Sequence, residues 1–124
     1  MTNSALRVVV VDDEEDVLLL LDVALGLHAQ VDVVGLFGDA ESAIRAAGTL
    51  VPDVVVLDLS MPGMSGLDAL PRLRAAAPAA RIVVYSASDH PDVAKSALDA
   101  GASLFLVKAT TSIDSVVTAV VAPG

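Results

Sequence analysis

Val8-Val9-Val10-Val11-Asp12-Asp13-Glu14-Glu15-Asp16 decides how this chain folds: four consecutive β-branched residues run directly into five consecutive acids. A short run that is apolar at every position suits a strand covered on both faces, as in a parallel sheet. The whole stretch is Leu6–Val11, and similar ones stand at Val31–Leu36, Val54–Leu57, Ile82–Tyr85 and Ser103–Val107, apolar but for Arg7, Asp32 and Ser103. Between them the apolar residues take helical spacing. The first stripe is Val17, Leu20, Leu21, Ala24 and Leu25; the second is Ala40, Ala43, Ile44 and Ala47, with Asp39 as its N-cap. Leu67, Leu70 and Leu73 give a third, and Val93, Ala94, Ala97 and Leu98 a fourth, ended by Gly101. The last is Ile113, Val116, Val117, Val120 and Val121, with Thr111 and Asp114 placed as a capping box and Pro123-Gly124 as its stop. Pro71 inside the third pattern predicts a kink or an irregular first turn, because proline removes a helical hydrogen bond and clashes with the preceding turn.

Strand and helix therefore alternate five times, which implies one α/β domain over residues 1–124 with right-handed crossovers. Composition narrows the function. The absence of cysteine removes thiolate metal sites and thiol catalysis. A net charge of -9 argues against direct nucleic-acid binding, since phosphates are contacted mainly by Lys and Arg. The longest apolar run, Val17–Leu21, is broken by Asp22, far short of a membrane span. A soluble, cytoplasmic protein without a signal segment is expected.

In a parallel α/β sheet, ligands bind beyond the carboxyl ends of the strands. There the sequence places Asp12 and Asp13 after strand one, Asp58 after strand three, Ser86 after strand four and Lys108 after strand five. A lone Asp in such a place is commonly a helix cap or loop residue. Three acids, a hydroxyl and an amine on one edge suit metal-assisted phosphoryl transfer instead. Mg2+ takes oxygen ligands and keeps several waters, so few carboxylates suffice, with Mn2+ as an alternative. Asp13, Asp58 and the Ser60 backbone carbonyl are the candidate direct ligands, with Asp12 acting through water or orienting its neighbours. The other Asp58 oxygen is the nucleophile, and Lys108 and Ser86 neutralise the charge on the transferring group.

These residues resemble the receiver domains of bacterial response regulators. The likeness rests on Val8-Val9-Val10-Val11-Asp12-Asp13-Glu14, on Asp58-Leu59-Ser60-Met61-Pro62-Gly63-Met64-Ser65-Gly66, on Ser86-Ala87 and on Phe105-Leu106-Val107-Lys108. The resemblance implies a flavodoxin-like (βα)5 sandwich with a parallel sheet in order 2-1-3-4-5. It implies a switch that takes a phosphoryl group onto Asp58 from a phosphohistidine on a sensor histidine kinase or phosphotransfer protein, or from a small acyl phosphate. It casts Ser86 and Phe105 as switch residues that remodel the helix 4–strand 5–helix 5 face, where partners or a second copy bind. It assigns Ser60 and Ser88 to tuning dephosphorylation. Self-phosphorylation and self-dephosphorylation, with no external substrate turned over, follow from it.

Three departures stand out. Ala109 follows Lys108 where many relatives have proline, so a trans peptide is expected there, and the stretch from Leu59 to Arg81 is similar to the subfamily whose receivers precede a helix-turn-helix domain. Phe105 also lacks a hydroxyl. No output domain follows Val121-Ala122-Pro123-Gly124, so the chain reads either as a stand-alone receiver or as a piece of a longer regulator whose covalent output domain lies outside it. Two other readings compete. A receiver-like scaffold that is never phosphorylated would use the same fold. A haloacid-dehalogenase-type phosphatase would want a second Asp where Ser60 stands. His28 and His90 read as exposed or capping residues, Tyr85 as core, and Met61 and Met64 as loop packing.

Overall fold

Five strands and five helices follow one another along the chain: β1 (Leu6–Val11), α1 (Glu15–Gly26), β2 (Val31–Phe37), α2 (Ala40–Leu50), β3 (Val54–Leu57), α3 (Gly66–Ala76), β4 (Arg81–Ser86), α4 (Pro91–Asp99), β5 (Leu104–Val107) and α5 (Ile113–Val121). They come from a computed structural model that describes residues 5–122, so the expected stop at Pro123-Gly124 lies outside the described residues. All strand pairs are parallel, and the order is β2-β1-β3-β4-β5. The flavodoxin-like expectation holds.

Strand alternation sorts the core into two layers. Val9, Val11, Val55, Leu57, Ile82 and Val84 face α2, α3 and α4, together with Ala43, Ala47, Leu70, Leu73 and Ala97. Val8, Val10, Val54, Val56, Val83 and Tyr85 face α1 and α5, meeting Leu21, Leu25, Val116, Val117 and Val120. Both faces of the sheet are thus covered, which is why its strands carry few polar residues.

Local signals explain most helix ends. Asp39 caps α2 by accepting from the Ser42 amide at 2.7 Å. Pro71 stands within α3, which runs unbroken from Gly66 to Ala76. Three expectations need correction. Leu20 is 55% exposed, and Leu18 packs inward with Val17, Leu21 and Leu25. Successive helical residues turn by about 100°, so once Leu21 and Leu25 face the sheet, Leu18 shares their face and Leu20 does not. Leu98 is likewise exposed, leaving Ala97 as the buried contact of α4. The cap of α5 is Ser112, whose hydroxyl accepts from the Ser115 amide at 3.1 Å, in place of Thr111.

Candidate functional site

The site residues are fixed first by backbone. Ladder bonds continue one residue past the strands: the Asp12 amide donates to Phe37 of β2 at 2.9 Å, the Asp58 amide to Val11 of β1 at 2.9 Å, and the Lys108 amide to Ser86 of β4 at 2.7 Å. Residues that sequence reading placed at strand ends are therefore held by the sheet and not by mobile loops.

Their side chains converge. Oxygens of Asp12, Asp13 and Asp58 all lie within 4.8 Å of one another, an arrangement that could hold a metal ion. Asp12 and Asp58 are each only 2% exposed. Lys108 Nζ reaches Asp12 Oδ2 at 2.8 Å, Glu14 Oε1 at 3.0 Å and Asp58 Oδ2 at 3.8 Å. Asp12 Oδ1 accepts from the Glu14 amide at 2.9 Å, and Asp58 Oδ1 from the Ser60 amide at 3.1 Å. Ser86 is fully buried; its Oγ accepts from the Ser88 amide at 3.1 Å, while Ser88 Oγ accepts from the His90 amide at 3.2 Å. Phe105 is half-buried against the α2–α3–α4 layer.

Electrostatics follow from this crowding. Burial pushes the Asp58 carboxyl up to about 6; the Ser60 amide and Lys108 oppose the rise, and Asp12 and Asp13 add to it. Burial disfavours the charged Lys108, but its hydrogen bonds to Asp12 and Glu14 and the nearby carboxylates outweigh that and raise its pKa. Lys108 stays an ammonium at any physiological pH.

Other readings of single residues also resolve. His90 caps α4, its Nδ1 accepting from the Asp92 amide at 3.2 Å, and His28 is exposed. Met61 is buried and Met64 packs on the same layer. No cis peptide occurs among the described residues.

Three features were missed. Glu14 is a direct partner of Lys108, 94 positions away. Tyr85 does more than fill the core, since its hydroxyl donates to the Thr111 carbonyl at 2.9 Å. Gly66 lets α3 begin against the chain that carries Asp58: a Cβ there would run into Leu59 Cα and stand 2.7 Å from the Asp58 carbonyl oxygen. Both obstacles are backbone and cannot rotate away. Gly66→Ala is expected to lower stability by about 1–3 kcal/mol through overpacking, read as a fall in the urea midpoint with an unchanged slope. An unaltered midpoint would show that the loop after Asp58 yields freely.

The family described as response regulator receiver domain matches residues 8–120. The chain belongs to that family. Among the receiver's relatives, the nitrate/nitrite response regulator NarL of Escherichia coli K12 is 40% identical over 84 residues, which are 68% of this chain and 39% of that protein. A protein-glutamate methylesterase/protein-glutamine glutaminase of Azospirillum brasilense is 38% identical over 86% of this chain and 27% of its own length. The receiver thus spans well under half the length of these curated relatives. Among solved structures, the signal receiver domain of a Mycobacterium tuberculosis NarL superposes with a TM-score of 0.87 at 35% identity, covering 94% of both chains. A LuxR-family response regulator from Aurantimonas sp. SI85-9A1 gives 0.86 at 31%, over 94% of the receiver and 83% of that chain. The CheX–CheY–BeF3–Mg2+ complex from Borrelia burgdorferi gives 0.84 at 25%, over 97% and 92%. Likeness to NarL and LuxR-family regulators agrees with the subfamily read from Leu59 to Arg81. No helix among the described residues is long and apolar enough to cross a membrane.

Proposed function

We propose that this receiver is a phosphorylation-dependent signalling switch whose phosphoacceptor is Asp58. The observation that carries the reading is the meeting of Lys108 Nζ with Asp12 and Asp58 beside Asp13, so that one ammonium and three carboxylates share a single strand-end pocket. Asp58 Oδ2 attacks phosphorus on a phosphohistidine or small acyl phosphate, and the bond from phosphorus to the donor breaks as the new P–O bond forms. Lys108 then turns from its carboxylate partners toward the incoming oxygens, and the Ser86 hydroxyl donates to one of them. The all-oxygen set of Asp12, Asp13, Asp58 and the Ser60 carbonyl suits Mg2+ or Mn2+. Such an ion, when bound, neutralises charge on the phosphoryl oxygens.

The signal leaves through Ser86 and Phe105 to the face of α4, β5 and α5, with Ser60 and Ser88 tuning the lifetime of the phospho-aspartate. A sensor histidine kinase or phosphotransfer protein is the natural donor. A covalent output domain fits the greater length of the NarL-type relatives, and a second copy of the chain is a further partner for that face. Residues 1–124 act as one receiver domain with no turnover of an external substrate. The CheY complex with BeF3 and Mg2+ supports the chemistry by likeness.

The test is to incubate the protein with a small acyl phosphate and Mg2+ and to weigh it intact. A gain of one phosphoryl group, lost on chelation, is expected. No gain would favour a scaffold, and release of many donor equivalents would favour a phosphatase.

A further inference from the structure

We propose that Tyr85 is a positioning residue for Lys108. The proposal rests on the phosphoryl-transfer reading above and adds a residue to its machinery. Lysine carries its charge on a flexible four-carbon stem, so something must confine it if it is to meet a phosphoryl oxygen in a fixed place. The sheet fixes only its backbone, through the bond from the Lys108 amide to Ser86 and the pairing of Ser86 with Val107. Beyond that bond the chain runs through Ala109, Thr110 and Thr111 before Ser112 caps α5.

Tyr85 supports both the side chain and this connection. Tyr85 is 5% exposed and lies in the α1–α5 layer beside Val83, Val116 and Val117. Lys108 Nζ stands 5.8 Å from the ring centroid, within range of a cation–π contact. The hydroxyl donates to the Thr111 carbonyl at 2.9 Å, tying the α5 end of the β5–α5 connection to β4. A phenylalanine would fill the same space. The hydroxyl therefore serves the connection, and the ring face serves the ammonium. Tyr85 also pairs with Leu106, two residues before Lys108, so its position is set by the same ladder that carries the site.

Two variants separate the contributions. Tyr85→Phe keeps the ring and removes the hydrogen bond; Tyr85→Leu removes both. With a small acyl phosphate as donor and intact mass as readout, Tyr85→Phe is expected to lower the maximal loading rate about fivefold, and Tyr85→Leu about 20-fold. The donor concentration at half-maximal rate and the Mg2+ affinity by calorimetry should stay within about twofold of the parent. Exchange of the Thr110 amide, which donates to the Val107 carbonyl at 3.1 Å, should quicken about fivefold in Tyr85→Phe, a readout that needs no phosphorylation. Should Tyr85→Leu fail to fold, the Phe variant carries both measurements. Parent-like loading and parent-like exchange in Tyr85→Phe would overturn the proposal, as would equal losses in rate, donor dependence and Mg2+ affinity. A parent that never loads would sink the phosphoryl-transfer reading, and the exchange result would then decide the role of Tyr85 by itself.

Discussion

Asp58→Asn is expected to abolish phosphoryl gain and, with divalent cations chelated at pH 7, to make the protein more stable. The first effect follows from removal of the proposed nucleophile. The second follows from burial: the carboxyl sits at about 6 in the folded protein against an ordinary 3.8. The folded state thus holds the proton more tightly than the unfolded chain does. Stability therefore falls as pH rises from about 4 to about 6, and the penalty is complete above that window. At 1.36 kcal/mol per pH unit the gap corresponds to at most about 3 kcal/mol. Water at the open edge of the pocket screens part of it, leaving about 1–2 kcal/mol. Asn has the same shape and no charge. Its melting temperature should exceed the parent's by about 3–10 °C at pH 7, and the difference should vanish near pH 4. Adding Mg2+ should close the gap from the other side, by stabilising the parent more than the variant. Equal melting temperatures across the pH range with chelator present would show that Asp58 stores no repulsion.

Lys108→Ala should have the opposite effect on stability. It removes an ammonium that contacts Asp12 at 2.8 Å and Glu14 at 3.0 Å and leaves Asp12 buried and unpaired. Breaking a buried pair in this way costs about 3–5 kcal/mol, measurable as a lowered urea midpoint in chelator. Mg2+ should recover much of that loss, because the ion replaces the missing positive charge. Phosphoryl gain should slow by about 100-fold or more, the scale of losing one charge-stabilising donor. Mg2+ affinity should be kept or raised, since a competing cation has gone. Equal loss of loading rate and Mg2+ affinity would contradict the role given to Lys108.

The site was readable because its residues stand immediately after runs whose strand character is unambiguous. Once Val8–Val11 and Val54–Val56 are strands in a parallel sheet, Asp12 and Asp58 can only emerge at the same edge. The rotation of α1 was not readable. Leu18, Leu19, Leu20 and Leu21 are identical, so the pattern does not say which of them faces the sheet. The cap of α5 was ambiguous for a similar reason, because Thr111 and Ser112 are adjacent hydroxyl residues. The bond from Tyr85 to Thr111 escapes any side-chain pattern, since its acceptor is a backbone carbonyl. The contact of Gly66 with Leu59 is a property of how the loop returns, and glycine alone does not announce it.

Tyr85 and Ser86 are consecutive, and alternation sends them to opposite sides of the sheet. Tyr85 lies with α1 and α5, and the alternation sets Ser86 on the side of Val84, the side of the α2–α3–α4 layer. A single strand tip therefore addresses two separate helical layers at once. Engineers could exploit this by rebuilding the layer behind Tyr85 to adjust how firmly Lys108 is seated, while the layer behind Ser86 keeps its native wiring.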